Sequence, residues 1–287
     1  MKTGLIGLGA MGLGMANNIA KAGRLTTVYN RTHSKALTFA TELNISSSNT
    51  PQQLAEQVDL ILICVSEDKD VLQIINALKE TIKPNSIVVD LSTVSSETAK
   101  KAAAILSTKQ AFFLDAPVSG GVEGARNGTL AMMVGGEESL LEKVRPVLET
   151  ISARIIYMGD TGSGQATKAV NQIMAAGINQ AVTEALAFGE AQGLAMDKVI
   201  DIISGGAAGN WFLQHRGTNM LKGSFEPGFK LALHHKDLTI CRNMAQQSGV
   251  SINLTEKTLS DYDSLIERGF GDEDISALYR LKQKRSN

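Results

Sequence analysis

The 287-residue chain balances 28 Lys and Arg against 29 Asp and Glu, and 43% of it is hydrophobic. Those figures exclude a basic module for nucleic acid or an acidic membrane surface, and they exclude a wholly disordered chain. Two cysteines, Cys64 and Cys241, make neither a disulfide framework nor a CxxC metal pair, and no apolar run reaches the ~18–20 residues that span a bilayer.

The first half alternates short β-type runs with helical stretches. The runs are Thr3–Ile6, Thr26–Tyr29, Leu60–Val65, Ile87–Asp90, Phe112–Asp115, Ala131–Val134 and Arg154–Tyr157. The early ones are apolar throughout rather than alternating, as expected of strands covered on both faces. Met11, Met15 and Ile19 recur on one helical face between the first two runs, and Val71-Leu72, Ile74-Ile75 and Leu78 do the same later. The pattern predicts a doubly wound α/β domain with a mostly parallel sheet. Cys64 lies inside an apolar run and reads as a small buried hydrophobe. Lys2 precedes a strand and a glycine turn rather than an export signal, so the expected compartment is the cytoplasm.

After Gly159 the β signal stops. Gln165–Gln192 has no Pro and much Ala, which predicts a helix of roughly 40 Å at 1.5 Å per residue. Further helices are expected near Met196–Ser204, Lys236–Gln247 and Leu254–Glu267. The division is placed at residue 162: 1–162 a nucleotide-binding domain, 163–287 an all-α domain for substrate and dimerisation. Neither is a charged module, with 15 basic and 16 acidic residues in the first and 13 of each in the second.

Gly7-Leu8-Gly9-Ala10-Met11-Gly12 is a GxGxxG sequence directly after a strand and opening a helix. The first glycine permits a tight turn, the second a close approach to a pyrophosphate, and the third close strand–helix packing. The bland alternative is a glycine-rich turn without a ligand. An acid at the end of the second strand would receive the ribose 2′-hydroxyl of NAD. Asn30 stands there instead, followed by Arg31 and Thr32. A guanidinium pairs with a 2′-phosphate through two hydrogen bonds. NADP is therefore expected over NAD, NAD remaining possible if Arg31 is only a solvated charge.

Ligands of such sheets lie beyond the carboxyl ends of the strands. Val65-Ser66, Ser92-Thr93 and Ser119-Gly120-Gly121 stand at those ends. The last offers a hydroxyl and unobstructed backbone N–H groups, which suit a carboxylate, although an ordinary glycine turn would read the same. In the long helix Lys168, Asn171 and Gln172 share a face, just after the expected domain junction Gly162-Ser163-Gly164. Their neighbours are mostly small or apolar. A buried lysine exchanges protons near neutral pH; a snorkelling lysine would not.

These segments, with Asp115-Ala116-Pro117-Val118-Ser119-Gly120-Gly121 and Lys236-Asp237-Leu238 in the same order, closely resemble the β-hydroxyacid dehydrogenase family. That family includes 3-hydroxyisobutyrate dehydrogenase, tartronate semialdehyde reductase and glyoxylate/succinic semialdehyde reductase. The resemblance spans Gly4 to about Leu278. It implies a Rossmann domain followed by an α-helical domain with a long interdomain helix. Gly7, Gly9 and Gly12 would bind pyrophosphate, and Thr93 would face the nicotinamide. Ser119, Gly120 and Gly121 would hold the substrate carboxylate. Lys168 would be the acid/base, Asn171 would orient it or the substrate, and Lys236 would close on the cofactor. The Asn30-Arg31-Thr32 triplet looks like the NADP-using glyoxylate reductase branch. The stretch Leu233-His234-His235-Lys236 looks more like the tartronate semialdehyde reductase branch, so the exact substrate and the role of Gln172 stay open. The implied activity is NADP-dependent interconversion of a small 3-hydroxy acid and its semialdehyde. An imine reductase, which usually lacks a lysine at this place, and a non-catalytic dinucleotide sensor are the alternatives.

Other residues carry weaker signals. His234 and His235 are adjacent, so in a helix they point about 100° apart and make a poor metal pair. Trp211 and Phe212 either line a pocket or pack in a core or interface. His215 and Arg216 read as surface groups that could meet an anion. Lys282-Gln283-Lys284-Arg285 reads as a solvated tail. Exposed apolar residues of the helical half suggest a homodimer or homotetramer.

Overall fold

The computed structural model describes residues 1–283. They form two compact units, divided between Lys168 and Ala169.

The first unit carries one sheet. Its strands are β1 (Thr3–Ile6), β2 (Thr27–Tyr29), β3 (Ser46–Ser47), β4 (Leu60–Ile63), β5 (Ile87–Asp90), β6 (Phe112–Asp115), β7 (Val118–Ser119), β8 (Leu130–Gly135) and β9 (Ser152–Gly159). The spatial order is β3-β2-β1-β4-β5-β6-β8-β7, with β9 beside β8. Pairing is parallel from β3 to β6 and between β8 and β9, and antiparallel where β8 meets β6 and β7. The first six strands thus follow the doubly wound order, with crossovers to opposite sides on leaving β1.

Two hydrophobic clusters cover the sheet, and β4 shows why its run is continuous rather than alternating. Leu60 and Leu62 enter the cluster on one face, Ile61 and Ile63 the cluster on the other. Leu5 and Ile6 of β1 divide the same way. Period-two side-chain geometry with apolar layers on both faces demands such a sequence.

The helices of this unit are α1 (Ala10–Lys21), α2 (His33–Leu43), α3 (Pro51–Gln57), α4 (Asp68–Thr81), α5 (Ser96–Ser107), α6 (Gly121–Asn127) and α7 (Glu138–Leu148). Met15 and Ile19 are fully buried on the inner face of α1. Ser95 caps α5 by accepting from Thr98 N–H, and Thr50 caps α3 by accepting from Gln53 N–H. The cap of α1 is Gly9, which has no side chain to accept from the first-turn N–H groups.

α8 runs unbroken from Ser163 to Ala191. Its residues 163–168 belong to the sheet unit, and the rest to the second unit. α9 (Met196–Ser204), α10 (Trp211–Leu221), α11 (Leu231–Ser248), α12 (Asn253–Glu267) and a 3-10 helix (Ile275–Leu281) complete the second unit. Its core gathers Leu186, Leu213, Met220, Leu231, Leu259, Tyr262 and Tyr279. The sequence pattern did not mark α10, because its face toward the core is only Phe212, Leu213, Gly217 and Met220. It did not mark β3 or β7 either, each of two residues.

Candidate active site

At the β1–α1 turn the three glycines meet three different constraints. Gly7 has a φ of +102°, and a β-carbon there would lie 2.1 Å from the Cys64 carbonyl oxygen. A β-carbon on Gly12 would lie 1.9 Å from the Gly7 carbonyl oxygen. At Gly9 a β-carbon would meet nothing within 4 Å. Gly7 and Gly12 are therefore glycine for internal packing, whereas Gly9 leaves the approach from outside open. With no side-chain cap on α1, the turn fits a dinucleotide pyrophosphate. Leu8 is buried, Ala10 exposed and Met11 partly buried.

Asn30 locks this turn from the end of β2. Its Oδ1 accepts from Leu8 N–H at 2.9 Å, and its Nδ2 donates to Thr32 O at 3.0 Å. The side chain that stands where an acid would receive a ribose is a buckle between two loops. Arg31 is 90% exposed on its side chain, with Nη1 3.7 Å from Asp70 Oδ1. Thr32, also exposed, precedes α2. Cys64 is only partly buried by its surface, beneath the glycine turn. Burial and then the charge of Asp90 push its thiol up to about 12, against a backbone N–H of Gly12, so it stays protonated at neutral pH.

The strand ends continue the floor. Val65 N–H donates to Ser92 Oγ at 2.9 Å, and Ser92 N–H donates to Asp90 Oδ1 at 3.0 Å. Ser66 is exposed, and Thr93 half-buried between Ser92 and Val94. Asp90 is fully buried, and its Oδ2 has no hydrogen-bond partner among the described residues. Burial raises its carboxyl to about 7, against the Ser92 bonds, with Asp115 and Asp68 adding to the rise. Ser119 ends β7. Gly120 and Gly121 both have positive φ, +133° and +64°, a conformation that other residues rarely adopt.

The start of α8 is fixed by a side chain at the end of β6. Asp115 Oδ1 accepts from Gly162 N–H at 2.7 Å and its Oδ2 from Gln165 N–H at 2.9 Å. This carboxylate caps α8 from a neighbouring strand. A β-carbon on Gly164 would sit 2.5 Å from Met133 O and 2.6 Å from Asp115 O. Lys168 follows one turn later and is only 7% exposed. Asn171 and Gln172 stand three and four residues further along the same helix.

In the second unit Asn171 Nδ2 donates to Gln172 Oε1 at 2.8 Å, and Gln172 Nε2 donates to Asp237 Oδ2 at 2.6 Å. Asp237 Oδ1 pairs with Lys236 Nζ at 2.8 Å. Gln172 is thus the bridge of a polar chain from Asn171 to Lys236, a role the sequence did not disclose. His234 is buried, within hydrogen-bonding distance of Tyr262 Oη and Gln172 O, while His235 meets Asp263 at 2.8 Å. The described residues contain no group of three or more His, Cys, Asp or Glu that could hold a metal.

Two surface readings need correction. Arg216 forms a two-point pair with Asp274, at 2.7 and 3.1 Å, and is mostly buried. Asp274 also accepts from Gly228, Phe229 and Ser276 N–H groups. Burial opposes its ionisation, but Arg216 and these N–H donors outweigh it and hold the carboxyl below its usual range. An arginine committed to a buried carboxylate is not available to an external anion. Lys282 likewise bonds Glu184 at 2.9 Å and is mostly buried, so it is not part of a solvated tail; Lys284 and Arg285 lie outside the described residues. Phe212 is a core residue, whereas Trp211 is exposed and stacks on the His215 ring.

The fold and this constellation define an NAD(P)-dependent oxidoreductase. A family model described as the NAD binding domain of 6-phosphogluconate dehydrogenase matches residues 2–159. A second, described as NAD-binding of NADP-dependent 3-hydroxyisobutyrate dehydrogenase, matches residues 162–282. The 2-hydroxy-3-oxopropionate reductase of Escherichia coli is 35% identical over 290 residues, covering 100% of this chain and 99% of its own. The solved 3-hydroxyisobutyrate dehydrogenase of Mycobacterium tuberculosis, with L-serine, superposes with a TM-score of 0.90 at 29% identity over 99% of both chains. The chain belongs to the 3-hydroxyisobutyrate dehydrogenase family and is an NAD(P)-dependent β-hydroxyacid dehydrogenase or reductase. The imine reductase of Streptomyces aurantiacus, 20% identical with a TM-score of 0.67 over 99% of this chain and 100% of its own, shares the fold alone.

Proposed function

We propose that the protein interconverts a small 3-hydroxy acid and its semialdehyde, or reduces glyoxylate or succinic semialdehyde, with NADP preferred over NAD. The observation that carries this reading is Lys168: a buried lysine, one turn into a helix whose start is anchored to the ends of β5 and β6. The open approach at Gly9 and the uncapped α1 favour Gly7–Gly12 as the pyrophosphate seat. Arg31, exposed beside the ribose end, supports a 2′-phosphate. Asn30 and Thr32 frame that end, and Val65, Ser66 and Thr93 the nicotinamide end. Ser119 with Gly120 and Gly121 would take the substrate carboxylate, Asn171 would orient substrate or Lys168, and Lys236 would close on the cofactor.

When bound, the nicotinamide donates or accepts hydride. Lys168 handles the accompanying proton. Its neutral amine accepts the hydroxyl proton in oxidation, and its ammonium donates a proton to the carbonyl oxygen in reduction. The carboxylate clamp fixes the carbonyl carbon in one orientation. The lysine disfavours imine reductase chemistry, and a sensor would need neither Lys168 nor the clamp. Val170, Met174, Phe188, Leu194 and Ile202 are exposed apolar residues of the second unit and support a homodimer or homotetramer.

The test is loss of NADPH absorbance with glyoxylate, succinic semialdehyde, tartronate semialdehyde and methylmalonate semialdehyde. Turnover of one or more is expected. Silence across the panel would favour the sensor reading.

A further inference from the structure

Gln165 is 1% exposed, and the chemistry above gives it no part. Its carboxamide is spent on two backbone groups that flank one residue. Oε1 accepts from Val94 N–H at 3.1 Å, and Nε2 donates to Ser92 O at 2.8 Å. The residue between them is Thr93. The backbone N–H of Gln165 is held by Asp115, and Lys168 stands one helical turn beyond it. Ser96 Oγ donates to Gly162 O at 2.8 Å, a second tie between the same two segments.

We propose that Gln165 is a positioning residue for hydride transfer: it pins the Thr93 loop to the first turn of α8, so that this loop and Lys168 keep one fixed separation. The inference rests on the reading of Thr93 and Lys168 given under the proposed function. A carboxamide is suited to this because it donates and accepts at once, matching one carbonyl and one N–H. Glutamate keeps an acceptor for Val94 N–H but sets an oxygen against Ser92 O. Methionine fills the same length and makes neither bond.

The experiment compares the parent with Gln165→Met and Gln165→Glu. In both variants kcat is expected to fall at least ~10-fold, since misplacing groups by an ångström costs up to ~10²-fold. The NADPH Kd, from cofactor fluorescence, should stay within ~3-fold. The deuterium isotope effect with NADPH labelled at the transferred position should increase, because hydride transfer becomes the slow step. A merely structural role would lower the amount of folded protein without altering the isotope effect. Amide exchange of residues 91–95, read by mass spectrometry, needs no turnover; it should quicken in both variants. Unchanged exchange together with parental kcat in either folded variant would overturn the inference. A parent silent on the whole substrate panel would overturn the functional reading instead, and the exchange result would still decide whether Gln165 holds the loop.

Discussion

Lys168 sits among small and apolar helix residues, and its burial is the structural fact behind its assigned role. Replacing it with alanine removes the proton donor and leaves the glycine turn intact. We expect Lys168→Ala to lose roughly 10²–10⁴-fold in kcat, the usual contribution of general acid–base catalysis, with an unaltered NADPH Kd. A parental kcat would remove Lys168 from the mechanism. Under the proposed function Arg31 would act at the other end of the cofactor. Hydrogen bonds to a charged group contribute about 1.5–3 kcal/mol, so Arg31→Ala should reduce the ratio of kcat/KM for NADPH over NADH by at least ~10-fold. Equal kcat/KM for the two cofactors in the parent would sink the NADP preference. Both residues stand out in the sequence, since each is an anomaly in its surroundings. Asn30 was legible only as a missing acid, because its bond to Leu8 N–H depends on how two loops 22 residues apart meet. Gln165 was not legible at all; nothing local distinguishes it from a surface glutamine.

At the scale of elements, the glycine turn shows what spacing can and cannot reveal. The order strand, GxGxxG, helix was readable, but the separate duties of the glycines come from the neighbours. Gly12→Ala places a methyl against the backbone oxygen of Gly7, which no rotamer relieves. Either α1 shifts off β1 or the turn opens. The expected outcome is a lower melting temperature together with a weaker NADPH Kd, by about 10-fold or more, since both outcomes displace the N–H groups that would face a phosphate under the proposed function. Gly9→Ala meets no protein atom, so its melting temperature should match the parent while its NADPH Kd weakens. Equal Kd values for parent and both variants would remove the turn from cofactor binding. The same dependence on neighbours hid α10 and β7. An amphipathic stretch with glycine in its face, or two residues in extended conformation, leaves too few periods to read.

At the scale of the molecule, the change from β-type runs to helical periodicity was plain, because it reflects which residues each kind of core requires. The electrostatics of burial were not, since charge content says nothing of where a carboxylate lies. Asp90 illustrates this: it ends the central strand β5, yet its Oδ2 has no hydrogen-bond partner among the described residues. Its carboxyl moves from 3.8 to about 7 on folding, chiefly through burial. A raised acid means that the folded state binds the proton more tightly than the unfolded chain. The parent is therefore favoured below the unfolded value near 4, and loses stability as pH rises through about 7. A shift of that size corresponds to an upper bound of roughly 4 kcal/mol. Asp90→Asn keeps an oxygen to accept from Ser92 N–H and cannot ionise. Relative to the parent, the variant should gain stability between pH 4 and pH 8, with the gain complete just above pH 7. Urea unfolding of both proteins at pH 5 and pH 8 measures this difference. If the two midpoints move in parallel with pH, Asp90 is ionised in the folded protein throughout, and a cation or ordered water must reach its Oδ2.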